Sequence, residues 1–129
     1  KVKFKKERNF AFATLFNESE NKALAEMDEV VNRYNKKLKL VHVENKVITT
    51  EMLRVKGEWE EKYPKAKIQI VNDDDVEGGL FSYCASNKID VLGVVHRKLS
   101  SFERLFTINH SKRLLSNASV ALLVFQESK

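Results

Sequence analysis

The stretch Phe10–Val43, FAFATLFNESENKALAEMDEVVNRYNKKLKLVHV, contains a strand, a helix and a second strand in close succession. Phe10–Leu15 is a short apolar run of β-prone residues, which is typical of a strand buried on both faces. Leu38–Val43 is the second strand. Between them, apolar residues recur at helical spacing: Ala23, Leu24, Met27, Val30, Val31 and Tyr34. The stretch therefore predicts a strand–helix–strand unit with parallel strands.

The same alternation continues toward the middle of the chain. Thr49 or Thr50 opens a second helix, which Pro64 ends because proline does not fit in a continuing helix. Lys67–Val71 alternates in the manner of a strand near a sheet edge. The apolar residues of the second helix include Leu53, Val55, Trp59 and Tyr63.

A third helix and two more strands complete the pattern. Asp74 or Asp75 is the predicted cap of a helix that runs to about Asn87, and Ile89–Val95 is the most apolar strand. The predicted inner face of this helix consists of Leu80, Phe81 and Cys84. A short turn or helix at Ser100–Phe106, a helix at Asn109–Asn117 and a last strand at Val120–Phe125 follow.

This order predicts a single α/β domain over residues 9–129, with a Rossmann-like or flavodoxin-like three-layer architecture. Right-handed crossovers would place helices on both faces of a five-stranded, mostly parallel sheet of order 3-2-1-4-5. Lys1–Arg8 is basic and resembles a linker. We therefore expect the chain to be a piece of a longer polypeptide.

Composition narrows the classes of protein. The 129 residues are 43% hydrophobic and 32% charged, with a net charge of +5 and interspersed signs. No apolar run approaches the roughly 20 residues that cross a bilayer, and no signal-peptide pattern opens the chain. The lone cysteine, Cys84, fits a reducing compartment. We expect a cytoplasmic protein without membrane contact, and, because no aromatics interleave with the basic residues, without nucleic acid as a partner.

A ligand site in such a sheet lies beyond the carboxyl ends of the strands, where the strand order reverses. This rule selects Thr14–Asn17 and Val94–Ser101, with His42–Glu44 nearby. Backbone amides that cradle phosphates need glycines, but none of the four glycines follows the first strand, and GxGxxG and GxxxxGK[ST] are both absent. The pattern argues against a dinucleotide enzyme and a P-loop ATPase.

Specific residues argue against four other kinds of site: a phosphoacceptor, a calcium loop, a zinc site and a hydrolase nucleophile. A phosphoacceptor domain needs an acid at the end of the first strand, and none is there. Asp73–Gly78 opens like a calcium loop, but the twelfth position holds Cys84 where a bidentate glutamate is required. His42 and His96 lack a partner at zinc-ligand spacing, Cys84 falls on an apolar helix face, and GxSxG is absent. We expect no catalysis, no metal and no cofactor.

One basic segment keeps an alternative open. Ser100 with Glu103 forms a capping-box pattern, as Asn17 does with Glu20. A helix start there could also hold an anion or a nucleotide, because its amides and dipole favour negative charge. The contacts in that alternative would be Arg97, Lys98, Ser100 and Ser101.

Two segments resemble the universal stress protein family. Phe10–Val43 is similar to its opening strand–helix–strand, with a "KAL"-like helix start and a strand ending in "HV". Ile89–Phe125, IDVLGVVHRKLSSFERLFTINHSKRLLSNASVALLVF, is similar to its closing half, with D-x-(L/I)-V, RL(L/F) and LLV as landmarks. The resemblance covers nearly the whole chain and implies the same fold.

The resemblance also implies a lost ATP site. ATP-binding members carry G-x-x-G-x9-G-[ST] after the fourth strand and an acid at the end of the first. In this chain Leu15 falls on the acid, and the loop's motif positions hold Val95, Lys98, Ile108 and Asn109. The chain thus resembles the branch that does not bind ATP.

Family members commonly dimerise through their last strands, and many are tandem fusions of two domains. The resemblance implies a non-catalytic role in cytoplasmic stress response, with a homodimer or tandem interface at the last strand, whose exposed apolar edge pairing would remove. The linker-like Lys1–Arg8 fits the second domain of a tandem. The expected interface residues are Val120, Leu122, Leu123, Val124 and Phe125.

Overall fold

The computed structural model of the chain describes residues 9–44, 47–96 and 120–127. Its five strands pair in parallel in the order β3-β2-β1-β4-β5. This arrangement confirms the predicted α/β class and strand order. The strands are β1 (Phe10–Ala13), β2 (Lys39–Glu44), β3 (Lys67–Asn72), β4 (Val91–His96) and β5 (Ala121–Gln126).

Three α-helices connect the first four strands: α1 (Asn21–Arg33), α2 (Thr50–Lys62) and α3 (Val76–Ser86). A short 3-10 helix, Glu18–Glu20, precedes α1. No helix within the described ranges is long and apolar enough to cross a membrane. The predicted linker Lys1–Arg8 and the predicted elements between residues 100 and 117 lie outside the described residues.

The sheet has a different core on each face. On the face that carries α1 and α2, Phe10 and Phe12 of β1 pack with Met27 and Trp59. On the face that carries α3, the intervening β1 residues are alanines, which pack with Leu80 and Cys84. Because side chains of a strand alternate between faces, β1 is buried on both sides, as its sequence predicted.

Gly93 allows close packing on the α1/α2 face. A Cβ atom at this position would lie 2.9 Å from Met27 Sδ and 3.1 Å from Phe12 Cδ1. These distances are shorter than ordinary van der Waals contacts. The glycine inside the fourth strand therefore serves core packing.

The structure shows which apolar residues of α2 face the core. Val55 and Trp59 are buried, but Leu53 is 52% exposed. Two residues of a helix span about 200°, so Leu53 cannot share a side with Val55, whereas Trp59, four residues on, can. Val55 and Trp59 therefore form the buried side of α2, and Leu53 lies outside it.

Helix starts were predicted with mixed success. Thr49 caps α2, since its side chain accepts a hydrogen bond from Met52 N at 3.1 Å. Asp75 holds the N-cap position of α3, but its side chain makes no capping bond within the described residues. Asp73 Oδ1 instead accepts from Asp75 N at 2.9 Å, which fixes the turn one step earlier.

Candidate functional site

The carboxyl ends of β1 and β2 bring together the segments that follow them in sequence. β1 lies between β2 and β4 in the sheet. After β1 the chain adds β2 and β3 on one side of β1, and it then adds β4 and β5 on the other side. The strand order reverses there, which makes this edge the candidate site. The described part of the site comprises the loop after β1, the end of β2 and Glu127 after β5.

A buried carboxylate fills the loop after β1. Glu20 is fully buried and accepts hydrogen bonds from Thr14 Oγ1 and from Leu15 N, the latter at 3.2 and 3.3 Å to its two oxygens. Thr14 Oγ1 in turn accepts from Phe16 N at 2.9 Å. The backbone N–H groups at the end of β1 therefore donate within the protein.

The structure confirms the predicted helix start at Asn17 and shows a further role for Glu20. Asn17 Oδ1 accepts from Ser19 N at 2.8 Å, which starts the 3-10 helix, and α1 begins only at Asn21. The Glu20 carboxylate lies against the end of β1, bonded to Thr14 and Leu15. Because the pattern was read as a helix signal, the inward role of Glu20 was missed.

His42 lies buried beside this loop, with both ring nitrogens near oxygens. Nδ1 is 2.8 Å from Thr14 O, and Nε2 is 2.8 Å from Glu44 Oε1. A carbonyl oxygen only accepts, so the proton on Nδ1 is required. An ionised Glu44 also only accepts, so this pair is either an imidazolium facing a carboxylate or a neutral ring facing a protonated carboxyl.

Phe16 covers the His42 ring. Phe16 is buried, and its ring centroid lies 4.9 Å from that of His42 and 6.0 Å from that of Trp59. Its φ of 54° lies in the left-handed region, which costs a non-glycine residue about 1 kcal/mol. The aromatic contacts offset this cost by holding the side chain inside the protein.

The rim of this edge is acidic in the described residues. Ser19 Oγ donates to Glu127 Oε2 at 2.7 Å, which ties the end of β5 to the loop after β1. Glu18 pairs with Arg54 at 2.6 Å, and Glu44 faces His42. Arg54 and His42 offset part of this negative charge, so only the remainder opposes the approach of a phosphate.

The described residues show no assembled catalytic group or metal centre. No group of three or more histidine, cysteine or acidic side chains within residues 9–44, 47–96 and 120–127 could hold a metal ion. Cys84 lies in the core of the α3 face, where burial raises the pKa of its thiol to about 12. A thiol with that pKa is protonated at neutral pH and is a poor nucleophile.

The structure places only part of the predicted site. Leu15 lies at the end of β1 and is 39% exposed, and Val95 is buried in the α1/α2 core. The remaining predicted positions lie outside the described residues: Arg97, Lys98, Ser100, Ser101, Ile108 and Asn109. The contact between His42 and Glu44 could have been found from sequence, because residues two apart on a strand share a face.

The predicted interface residues occupy β5 and the position before it. Val120 and Leu122 pack against the α3-face core, and Leu123 and Phe125 pack against the α1/α2-face core. Val124 is 56% exposed. Since β4 is the strand that pairs with β5 in the described sheet, the other side of β5 forms a sheet edge.

Solved structures of universal stress proteins have this arrangement of strands and helices. A universal stress protein in complex with cAMP matches with a TM-score of 0.64 at 14% identity, covering 92% of this chain and 95% of that one. One from Archaeoglobus fulgidus matches with a TM-score of 0.67 at 16% identity over 94% of this chain, which spans only 44% of that one. UspA from Lactobacillus plantarum matches with a TM-score of 0.63 at 13% identity, covering 92% and 97%.

No protein-family model and no curated protein matches the chain. At these identities the structural likeness shows the fold alone. The chain therefore has the universal stress protein fold.

Proposed function

We propose that this chain is a non-catalytic stress-response domain that acts in the cytoplasm through protein contacts and does not bind ATP. The observation that carries the proposal is the open edge of β5, which ends the described sheet on one side. Strand edges of this kind are paired or protected in stable proteins. The expected partner is the β5 strand of a second copy or of a tandem domain with the same fold.

The hydrogen bonds of β5 indicate which residues would pair. Ala121 N donates to Asp90 O at 2.9 Å, so the backbone groups of Ala121 face β4. Backbone direction alternates along a strand, so Leu122, Val124 and Gln126 direct their N–H and C=O groups toward the open edge. The backbone groups of these three residues can thus pair with another strand while the bonds between β5 and β4 stay intact.

The absence of ATP binding is supported by the loop after β1. Leu15 N donates to Glu20, and Phe16 N donates to Thr14 Oγ1. The loop has the apolar side chain of Leu15 where an acid would bind a ribose hydroxyl. Its rim carries Glu18 and Glu127. A nucleotide would have to approach fixed carboxylates there. The Val95 side chain is buried in the core of the α1/α2 face.

The competing candidate is a nucleotide- or anion-binding stress protein with an atypical loop after β4. Its contacts would be Arg97, Lys98, Ser100 and Ser101. One structural neighbour was solved in complex with cAMP, which favours testing cyclic as well as linear nucleotides. The two candidates differ in whether the carboxyl edge responds to nucleotide.

Sedimentation equilibrium tests the pairing. The chain has a mass of 14.9 kDa, and the proposal predicts a dimer of about twice that mass at micromolar concentration. A monomer that persists at roughly 100 μM, a concentration that detects interactions of about 5.5 kcal/mol, would overturn pairing between copies of this chain.

A further inference from the structure

Lysines collect at the amino edge of the sheet, opposite the candidate site described above. Because the strands run parallel, the residues that precede them meet at one edge. Lys36 and Lys37 precede β2, Lys65 precedes β3, and Lys62 ends α2. All four line one cleft of about 310 Å³.

The volume and the partly apolar lining of the cleft are compatible with a small-molecule site. It lies where the ends of α1 and α2 approach the starts of β2 and β3, and its lining includes Leu38, Tyr63 and Pro64. Pockets that bind small molecules begin at roughly 300 Å³ and combine apolar surface with a few polar groups. A recessed space of this volume fits a compact ligand better than the flat surface of a macromolecule.

The lining is strongly positive. Four lysines and one acid, Asp28, leave a formal charge of +3. Lys36 has an interaction of its own, so Lys37, Lys62 and Lys65 against Asp28 leave +2. The C-terminal ends of α1 and α2 each contribute about −0.5 charge, so roughly +1 remains. An anion in this cleft would therefore be attracted even after the helix dipoles are counted.

The lysines are not required to cap the helix ends. Val31 O accepts hydrogen bonds from Tyr34 N and Lys36 N at 3.1 and 3.2 Å. Trp59 O accepts from Tyr63 N at 2.8 Å, and Tyr63 O accepts from Ala66 N at 3.0 Å. Backbone N–H groups thus already bond to these three carbonyls, so the helix ends do not depend on the lysines alone.

We propose that this amino-edge cleft binds a small anion that carries several phosphate groups. Lysine ammonium groups bind phosphate as mobile point charges, and four of them around one cleft suit a ligand with charge on several oxygens. The site is independent of the carboxyl edge and of the pairing of β5.

Calorimetric titration with sodium tripolyphosphate tests the cleft. We expect saturable binding in about 20 mM NaCl, where charges are weakly screened, and weaker binding in about 200 mM NaCl. The double variant Lys37→Gln/Lys65→Gln should bind about tenfold less tightly, since two partly exposed ion contacts are removed. The control Lys22→Gln/Lys56→Gln removes the same charge outside the cleft and should stay within about twofold of the wild type.

Amide chemical shifts locate the bound anion. Tripolyphosphate should shift Lys37, Tyr63 and Lys65 in the ¹⁵N–¹H spectrum and leave Leu15 and Glu44 unchanged. Three results would each overturn the proposal: no saturation below about 1 mM, or roughly 4 kcal/mol; equal weakening in the two double variants; or shifts confined to the carboxyl edge.

Discussion

At Gly93 the packing of the α1/α2 face leaves no room for a side chain. Substitution Gly93→Ala would force the new methyl group against Met27 and Phe12, and overpacking of this kind costs about 1–3 kcal/mol. Gly57, in α2, is the matched control because a Cβ there has nothing within 4 Å. Gly57→Ala should stabilise the protein by about 0.5–1 kcal/mol. Urea unfolding measures both, and equal effects would contradict the assigned role of Gly93.

Glu20 holds the loop after β1 through hydrogen bonds from Thr14 and Leu15. Glu20→Gln keeps the shape but replaces one accepting oxygen with a donor, which leaves a buried donor without its acceptor. We expect a loss of about 1–3 kcal/mol in the free energy of unfolding. The control Glu26→Gln, on the exposed side of α1, should change it by less than about 0.5 kcal/mol. An equally small effect at Glu20 would show that the loop does not depend on this carboxylate.

Cys84 makes the free energy of unfolding depend on pH in the alkaline range. Burial raises the pKa of its thiol from 9.0 to about 12. Between these values the unfolded chain loses the proton and the folded chain keeps it, so stability is intact below pH 9 and falls as pH rises toward 12. The slope for one group is at most about 1.4 kcal/mol per pH unit.

The variant Cys84→Ala should lose less stability than the wild type over this range. Burial and the neighbouring Cys84 raise the pKa of Tyr83 to about 12, so Cys84→Ala removes one cause of that shift and reduces the slope in the same direction. Urea unfolding at a series of pH values measures the difference. Parallel curves for the two proteins would contradict the assignment of the slope to Cys84.

At the scale of elements, β5 offers a test of pairing that spares the core. Leu123 packs against the α1/α2 face, so a charge at that position would damage the fold as well as the edge. Val124 is exposed and directs its N–H group toward the open edge. Val124→Pro removes that donor without removing a bond to β4.

We expect Val124→Pro to weaken the dimer about tenfold or more, because the partner strand loses a backbone bond and meets the proline ring. Val124→Thr keeps the shape and the donor and should dimerise like the wild type. Sedimentation equilibrium measures both association constants. A Val124→Pro protein that folds and dimerises normally would place the interface elsewhere.

The elements also show what sequence could predict. Strands β1 to β5 and helices α1 to α3 followed from apolar periodicity, because burial on one or two faces leaves that pattern in the residues. The exposure of Leu53 and the inward turn of Glu20 did not follow from the sequence. The first depends on which side of α2 meets the sheet, and the second on the distance between Glu20 and the end of β1, which only the folded loop establishes.

At the scale of the whole molecule, the parallel sheet sorts charges that are mixed in the sequence. Among the described residues, lysines precede β2 and β3, Glu44 ends β2, and acids follow β3 and β5. Every strand starts at one edge and ends at the other, so the described parts of the two edges differ in charge, while Arg97 and Lys98 follow β4 in the sequence. Composition alone, with a net charge of +5, does not reveal this separation.

We therefore expect the same anion to bind at the amino edge and not at the carboxyl edge. The carboxyl edge, where nucleotides bind in open α/β sheets, is filled by Glu20 and ringed by carboxylates. The amino edge holds the lysine cleft. A nucleotide with a triphosphate tests both, provided that the position of binding is observed.

The most direct measurement is a ¹⁵N–¹H titration with ATP, ADP, AMP and cAMP in about 150 mM NaCl, which screens weak surface attraction. We expect that the amides of Leu15, Phe16, Val43 and Glu44 do not shift with any of the four. Saturable shifts of these amides with a Kd below about 100 μM, roughly 5.5 kcal/mol of binding, would contradict it and favour the nucleotide-binding candidate.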